Sequence, residues 1–236
     1  MATFEVQVEG LTGLTISSSD TTPTQDELSQ FLKDGVLDVT NKSIKMDPRK
    51  AVNFQRTTSS DSQGVSVGGA QIISVIRESN ADGSADGSTS WIPCRQMPAA
   101  LQSKVVDTES LHFSSVHNPV YIIDNNNTIN VYPVPSGNNG MKIFYVNEEP
   151  RDVSNNAALT FAHANIKYFP NDKVYLVVLY AGIKSLEAKM AEYTIDEEDS
   201  ELVRSIQANL ISLTNQYLNE FSTPKENRDQ IQEREV

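Results

Sequence analysis

Residues 171–193 read NDKVYLVVLYAGIKSLEAKMAEY. Tyr168-Phe169-Pro170 leads into this stretch, and its apolar side chains recur at helical spacing on two faces. Val174, Val177, Val178, Ala181 and Ser185 make one face; Leu179, Ile183, Leu186 and Met190 make the other. A helix apolar on two faces is central, with neighbours on both sides. Ala181 and Gly182 permit close backbone approach there. The acidic run Asp196–Asp199 then complements the start of a second helix. In that helix Val203, Ile206, Leu210, Leu213 and Tyr217 follow a 3, 4, 3, 4 rhythm, a heptad-like seam. A link of about three residues makes the two helices an antiparallel hairpin.

Another helix begins far upstream. Thr24 is a cap and Glu27 reaches back to it, a capping box. Leu28, Phe31, Leu32, Val36 and Val39 line one face, and the helix is expected to end near Ser43. Its apolar stripe needs a partner, which the two-faced helix supplies. Asp47-Pro48 resembles a further start, and the piece to Phe54 is either a helical turn or a strand. Before Thr24, alternation of Phe4, Val6 and Val8 with polar residues predicts a strand, and Ser17–Thr22 a loop.

Between these helical parts the pattern changes to period two. Strands are expected at Val65–Val67, Gln71–Glu78, Trp91–Cys94, Leu111–Ser115, Val120–Asp124, Ile129–Val134 and Met141–Val146. Thr57–Gly64, Asn80–Ser90, Asn125–Asn127 and Ser136–Gly140 read as loops and turns. Met97–Leu101 reads as a brief helix. The expected fold is α+β: a helical bundle, formed by an N-terminal helix and a C-terminal antiparallel helical hairpin, carrying an inserted antiparallel β unit. The expected segments are 1–56, with a strand and a helix; 57–147, the β unit; 148–221, a linker and the hairpin; and 222–236, a tail. The tail is half charged, with Ile231 as its one aliphatic residue before the last position, and reads as a frayed helix or disordered.

The 236 residues carry 31 acidic and 19 basic side chains, a net charge of -12. That balance argues against a protein whose main work is gripping phosphates. Residues 1–10 lack the basic and apolar parts of a signal peptide. The longest apolar run, Val174–Ile183, falls short of the roughly 20 residues that span a bilayer. A soluble protein made in a cytoplasm, with no membrane anchor, is expected. The single cysteine, Cys94, excludes an internal disulfide framework and a multi-thiolate metal site.

No constellation of residues points to catalysis. His112 and His117, five apart on an expected strand, fall on opposite faces, which disfavours a shared metal. Cys94 has no nucleophile motif around it. Asn80, Asp82, Ser84, Asp86 and Ser88 alternate like calcium-loop ligands. However, Ala85 stands where that loop needs Gly and Trp91 where it needs Glu, so an exposed hairpin tip is the better reading. The acidic cluster from Glu192 to Glu201 fits a helix start better than acid–base chemistry. Trp91, Tyr121, Tyr132 and Tyr145 are core strand aromatics before they are a carbohydrate platform. No enzyme activity, cofactor or metal is expected.

Several stretches together resemble one family. They are Ile73-Ser-Val-Ile-Arg77, Trp91-Ile-Pro-Cys-Arg95-Gln-Met-Pro98, Asn118-Pro-Val-Tyr-Ile122 and Ile129-Asn-Val-Tyr-Pro-Val-Pro135. Ile166-Lys-Tyr-Phe-Pro170, the run Tyr175–Met190 and the opening Glu27–Val39 belong with them. Their order and spacing are similar to the head-to-tail connector proteins of tailed bacteriophages, the adaptor or neck proteins of the tail tubular protein A kind. The likeness covers about residues 25–190 and contains no catalytic signature.

The resemblance implies a structural subunit of the virion neck. Such proteins form a homo-oligomeric ring, commonly of twelve subunits, between the portal and the tail, nozzle or terminator proteins, and DNA passes through without specific binding. It implies a helical ring body from 24–45 and 171–221, and a tail that docks into the portal through Pro224, Lys225, Arg228, Ile231 and Arg234. Asp82, Asp86, Trp91 and Asn138 would contact neighbouring subunits or the tail. A carboxylate-lined lumen would repel phosphates and keep DNA mobile, whereas the plainer account of the charge is solubility. The alternatives are another neck, tail-completion or baseplate protein, a β module that binds a glycan or host surface, and a hydrolase using Glu198 and Glu201.

Overall fold

The computed structural model describes residues 2–79, 90–135, 140–196 and 200–222. Its helices are α1 (Phe4–Thr12), α2 (Gln25–Met46), α3 (Gln102–Val106), α4 (Val174–Asp196) and α5 (Ser200–Asn219). Its strands are β1 (Arg56–Ser60), β2 (Val65–Ser66), β3 (Gln71–Glu78), β4 (Trp91–Pro93), β5 (Arg95–Met97), β6 (Val120–Asp124), β7 (Thr128–Tyr132) and β8 (Met141–Val146). The class is α+β. The chain divides into a helical unit, residues 1–48 with 151–236, and a β unit, residues 49–150.

In the helical unit, α1, α2 and α5 all pack on α4. Leu176, Val177, Val178, Leu179, Ala181, Ile183 and Leu186 of α4 are buried, so both apolar faces read in the sequence are covered. Gly182 and Gly35 set how near the neighbours come. A Cβ on Gly182 would stand 3.0 Å from Leu11 of α1, and one on Gly35 of α2 would stand 3.0 Å from the Tyr180 ring of α4. The buried Ser185 hydroxyl donates to the Ala181 carbonyl at 2.8 Å, so it costs the helix core no unpaired group.

The first helix corrects the strand expected from Phe4, Val6 and Val8. Thr3 caps it, accepting from the Val6 amide at 3.4 Å. Gly13 ends it in the left-handed region at φ 72, its N–H donating to Glu9. Phe4 and Val8 lie one turn apart and are fully buried, while Val6 is 54% exposed. The alternation was two positions of a helical stripe with a solvent-facing valine between them. The capping box of α2 forms as expected: the Glu27 amide donates to Thr24 Oγ1 at 3.3 Å and the Thr24 amide to Glu27 Oε2 at 2.8 Å. That helix outlasts its expected end at Ser43, stopping at Met46, and Pro48 opens a 3-10 turn to Asn53.

The seam of α5 meets α4, with Ile206, Leu213 and Tyr217 buried. Lys173, just before α4, stands 3.8 Å from Glu220, just after α5, so the two helices run antiparallel. Tyr217 also ties in α2. Its hydroxyl donates to Asp38 Oδ2, which Lys42 approaches at 2.7 Å, and Lys42 Nζ sits 4.6 Å from the Tyr217 ring centroid. Burial first, then the hydrogen bond to Asp38 and its charge, push the Tyr217 phenol far up.

The β unit is two four-stranded sheets, in the orders β1-β8-β3-β4 and β2-β7-β6-β5. Two strands bend from one sheet into the other: β1 continues into β2, and β4 into β5 through Cys94, whose amide donates to Val75 at 2.8 Å. Val67, Ala70, Val75, Tyr121, Ile129, Val131, Met141, Ile143 and Tyr145 form the core of this unit. At the β1–β2 bend the Gln63 side chain replaces a peptide, donating to the Val131 carbonyl and accepting from its amide at 2.7 Å.

Three expectations for this unit are corrected. It is not wholly antiparallel, because β5 and β6 run parallel. Parallel neighbours need a long crossover, and residues 98–119 provide it. Leu111–Ser115 is therefore turn within that crossover and not a strand. Arg56–Ser60 is a strand within the expected loop 57–64. Its side chains are polar, so backbone pairing with β8 and the 3.0 Å bond between Thr58 and Tyr145 OH define it, not apolar alternation. The compact unit runs from residue 49 to residue 150. Arg56 explains much of this: its guanidinium meets Glu148 at 2.6 Å and the Glu149 carbonyl at 3.0 Å, binding the two ends of the unit. Four expected features, residues 80–89 of the Asn80–Ser90 hairpin tip, the turn at 136–139, the acidic residues 197–199 and the tail from 223, lie outside the described residues.

Replacing Tyr217 by Phe is expected to cost about 1.5–3 kcal/mol, the scale of a hydrogen bond to a charged group, measured by urea unfolding. Gly182→Val is expected to cost about 1–3 kcal/mol through overpacking against Leu11 and Thr12, whereas Gly69→Val, with open space around it, serves as the control in the same thermal melts.

Candidate interaction surfaces

Packing α1 and α5 on adjoining faces of α4 leaves a trench between them. It holds a cavity of about 600 Å³. Leu11, Val178 and Leu179 form its apolar floor; Gln7, Tyr175, Gln216 and Glu220 stand at its polar rim. A smaller cavity of about 260 Å³ lies near the other end of α1, where Leu14 faces Leu186 and Ile206. Apolar floors with a few polar groups at the rim are the usual form of a binding site. The rim is acidic. Partial burial, the hydrogen bond to Glu220, and the charges of Glu220 and Asp172 push the Tyr175 phenol up to about 12.

In the β unit the parallel crossover presents an apolar knob. Leu111 is 103% exposed, Val106 58% and Phe113 38%. The loop around it is anchored from beneath: the Ser114 amide and hydroxyl both donate to Val105, at 2.9 and 3.1 Å, and Val105 is itself buried with Met97, Val120 and Ile122. A side chain so displayed, on a loop so fixed, is available to a partner.

Of the residues singled out for inter-subunit or tail contact, only Trp91 is described. Asp82, Asp86 and Asn138 lie outside the described residues, as do Pro224, Lys225, Arg228, Ile231 and Arg234. Trp91 is half-buried, with Lys142 Nζ 4.1 Å from its ring centroid. It pairs with Glu78, on the opposite face of β3 from the core residue Val75, and so lies on the outer face of the first sheet. Tyr132 packs against the cluster on the second sheet, its hydroxyl accepting from Gln102 at 2.6 Å. Tyr121 and Tyr145 are buried. These four aromatics do not share a platform.

The titratable groups show little chemistry. Burial pushes the Cys94 thiol up to about 12, with Arg77 opposing, and a protonated thiol is a poor nucleophile. Arg77 is buried, donating from Nε to Pro133 O at 2.8 Å; burial lowers its pKa, against the pull of Cys94 and Glu78. Glu78 beside it is 1% exposed, and its carboxylate oxygens have no hydrogen-bond partner among the described residues. His112 and His117 sit in the crossover turns, so strand alternation does not govern them. His163 Nδ1 accepts from the Thr160 amide at 3.0 Å. Glu192 is paired with Lys189 at 2.6 Å. No group of three or more His, Cys, Asp or Glu is placed to hold a metal ion among the described residues. No described helix is long and apolar enough to cross a membrane.

Asp152 is the clearest acid-sensitive group. Burial raises its pKa, but amide hydrogen bonds from Ser154 at 2.8 Å and Asn155 at 3.3 Å, with the nearby His163, hold it below the ordinary carboxylate value. A depressed carboxylate stabilises the fold above its unfolded pKa of about 3.9 and loses that contribution as pH falls through the folded value. Melting temperature should therefore drop below about pH 4 more steeply in the wild type than in Asp152→Asn. A difference between the two that is constant with pH refutes this.

No protein-family model matches the chain, and no curated protein matches it.

Proposed function

We propose that this chain is a structural adaptor of a phage neck, a subunit of a ring that joins portal to tail and surrounds the DNA path. The observation that carries the reading is the interleaved architecture. The chain begins a helical unit, leaves it after α2 to build a complete β unit, and returns to finish the helices with α4 and α5. That order is what the resemblance to head-to-tail connectors implies. Two surfaces add support: the anchored apolar knob at Leu111 and the trench beside α1 are both suited to protein contacts. The net charge of -12 suits a wall that DNA must slide past, since each phosphate contact adds salt-dependent affinity and slows passage.

In this reading the subunit works by packing and bridging. Twelve copies, a virion location, and docking of residues 224–234 into the portal belong to the proposal. Trp91 and Tyr132 lie in different sheets, which favours the adaptor reading over a glycan platform built from both.

Mass photometry of the purified protein, alone and with a portal ring from the same phage, tests the proposal. Twelve-fold complexes that form with portal are the expected outcome; a monomer indifferent to portal overturns it. Leu111→Asp should reduce assembly at least about tenfold while shifting stability by no more than about 0.5 kcal/mol, because the side chain is wholly exposed. Unaltered assembly would remove the knob from the interface.

A further inference from the structure

We infer that the free edge of β1 is a docking site for β1 of a second copy of this chain, the two strands running antiparallel about a twofold axis at Thr58. The inference concerns the free chain and does not rest on the neck proposal.

It begins with the edges of the two sheets. The edge strands are β1 and β4 in one sheet and β2 and β5 in the other. An edge strand offers a row of unpaired N–H and C=O groups to any other strand, so folded proteins keep such strands short or place Pro or Lys on them. Three of the four are protected in this way. β2 has two residues and β5 has three; β4 has three and ends on Pro93, which has no N–H to give. β1 has five residues, Arg-Thr-Thr-Ser-Ser, with neither Pro nor Lys. Its one charge, on Arg56, is engaged by Glu148 and the Glu149 carbonyl. β8 pairs with one side of β1. On the other side no backbone hydrogen bond reaches Thr57, Thr58, Ser59 or Ser60 among the described residues.

The side chains on this edge narrow the partner. Thr57 and Ser59 are exposed, while Thr58 and Ser60 are half-buried. Small hydroxyl side chains neither fill an apolar groove nor select an ionic ligand. The groups left to satisfy are those of the backbone, and an added extended strand satisfies them.

The identity of that strand follows from pattern. In an antiparallel register centred on Thr58, Thr57 stands opposite Ser59 of the second copy, Ser59 opposite its Thr57, and Thr58 opposite its Thr58. Thr and Ser directly opposite one another are favourable cross-strand pairs. The ends match as well: Arg56 falls opposite Ser60 and Gln55 opposite Asp61, so no like charges meet. No other edge strand is long enough to pair with all five residues. A twofold contact of this kind is self-complementary and closes at two copies. Five residues a side is well below the roughly 20–30 of a stable interface, so the pair is reversible. With a net charge of -12 on each copy, it tightens as salt screens their repulsion.

Sedimentation equilibrium of the full chain, from about 5 to about 500 μM at low and high salt, reads the pair directly. The average mass should rise from 26.1 kDa toward twice that value, and more readily at high salt. Thr57→Lys with Ser59→Lys sets lysine against lysine at both exposed pairs and should weaken association about tenfold. Thr57→Glu with Ser59→Glu should do the same. An equal mixture of the two variants sets lysine against glutamate and should restore association to at least the wild-type level, which a merely structural role for these residues would not do. A wild type that stays monomeric at the highest concentration overturns the inference. Growth beyond two copies overturns it too, as does association that the lysine variant leaves intact and Leu111→Asp abolishes. If the variants fold poorly, hydrogen exchange on the unaltered chain decides. Protection of the amides of residues 56–60 should rise at least about threefold from the lowest to the highest concentration, and protection independent of concentration sinks the inference.

Discussion

The helical unit depends on the close approach of two helices to α4. Gly35 and Gly182 are the positions where a side chain would meet Tyr180 or Leu11 at 3.0 Å. Each lies inside a helix, where glycine is intrinsically unfavourable, and the loss is offset by backbones brought near enough for Phe4, Val8, Leu28 and Leu32 to be fully buried. Once α1 and α2 are set by these contacts, α5 has one face of α4 left. The trench beside α1 is what remains when three helices of unequal length share a fourth.

Much of this was legible in the sequence. The two faces of 171–193, the capping box at Thr24 and the seam from Val203 to Tyr217 are all periodic signals strong enough to survive without tertiary information. Strands β3, β6 and β8 were legible for the same reason: each is rich in β-branched or aromatic residues. What was not legible lacked such a signal. Phe4, Val6 and Val8 fit either period, and only burial separates them. Arg56–Ser60 carries no apolar alternation, so its strand exists through backbone pairing. Leu111 and Phe113 look like strand residues because an exposed knob and a buried strand use the same side chains. The parallel pairing of β5 with β6 leaves no local trace, since the crossover contains its own short helices.

The candidate surfaces were harder still to foresee. Gln7, Tyr175 and Gln216 meet at one rim, though they are far apart in the chain and none belongs to a motif. Their common property is position around α4. The residues nominated by resemblance fall largely on segments outside the described structure, whereas the trench and the knob emerged from packing. Burial keeps the Cys94 thiol protonated, and the His163 ring is held by Thr160 within its own turn.

The Arg56 clamp has a consequence for how such a chain changes over time. By joining the first strand of the β unit to Glu148 and Glu149, it brings the entry and exit of the insertion together. A module whose two ends meet can be exchanged as a cassette. The sequence inside it is free to diverge, lengthen or be replaced by another module with ends at similar spacing, while the helical unit keeps its own glycine-dependent packing. In such a protein the two parts are open to separate histories, the helices bound to their geometry and the insertion to whatever it must touch.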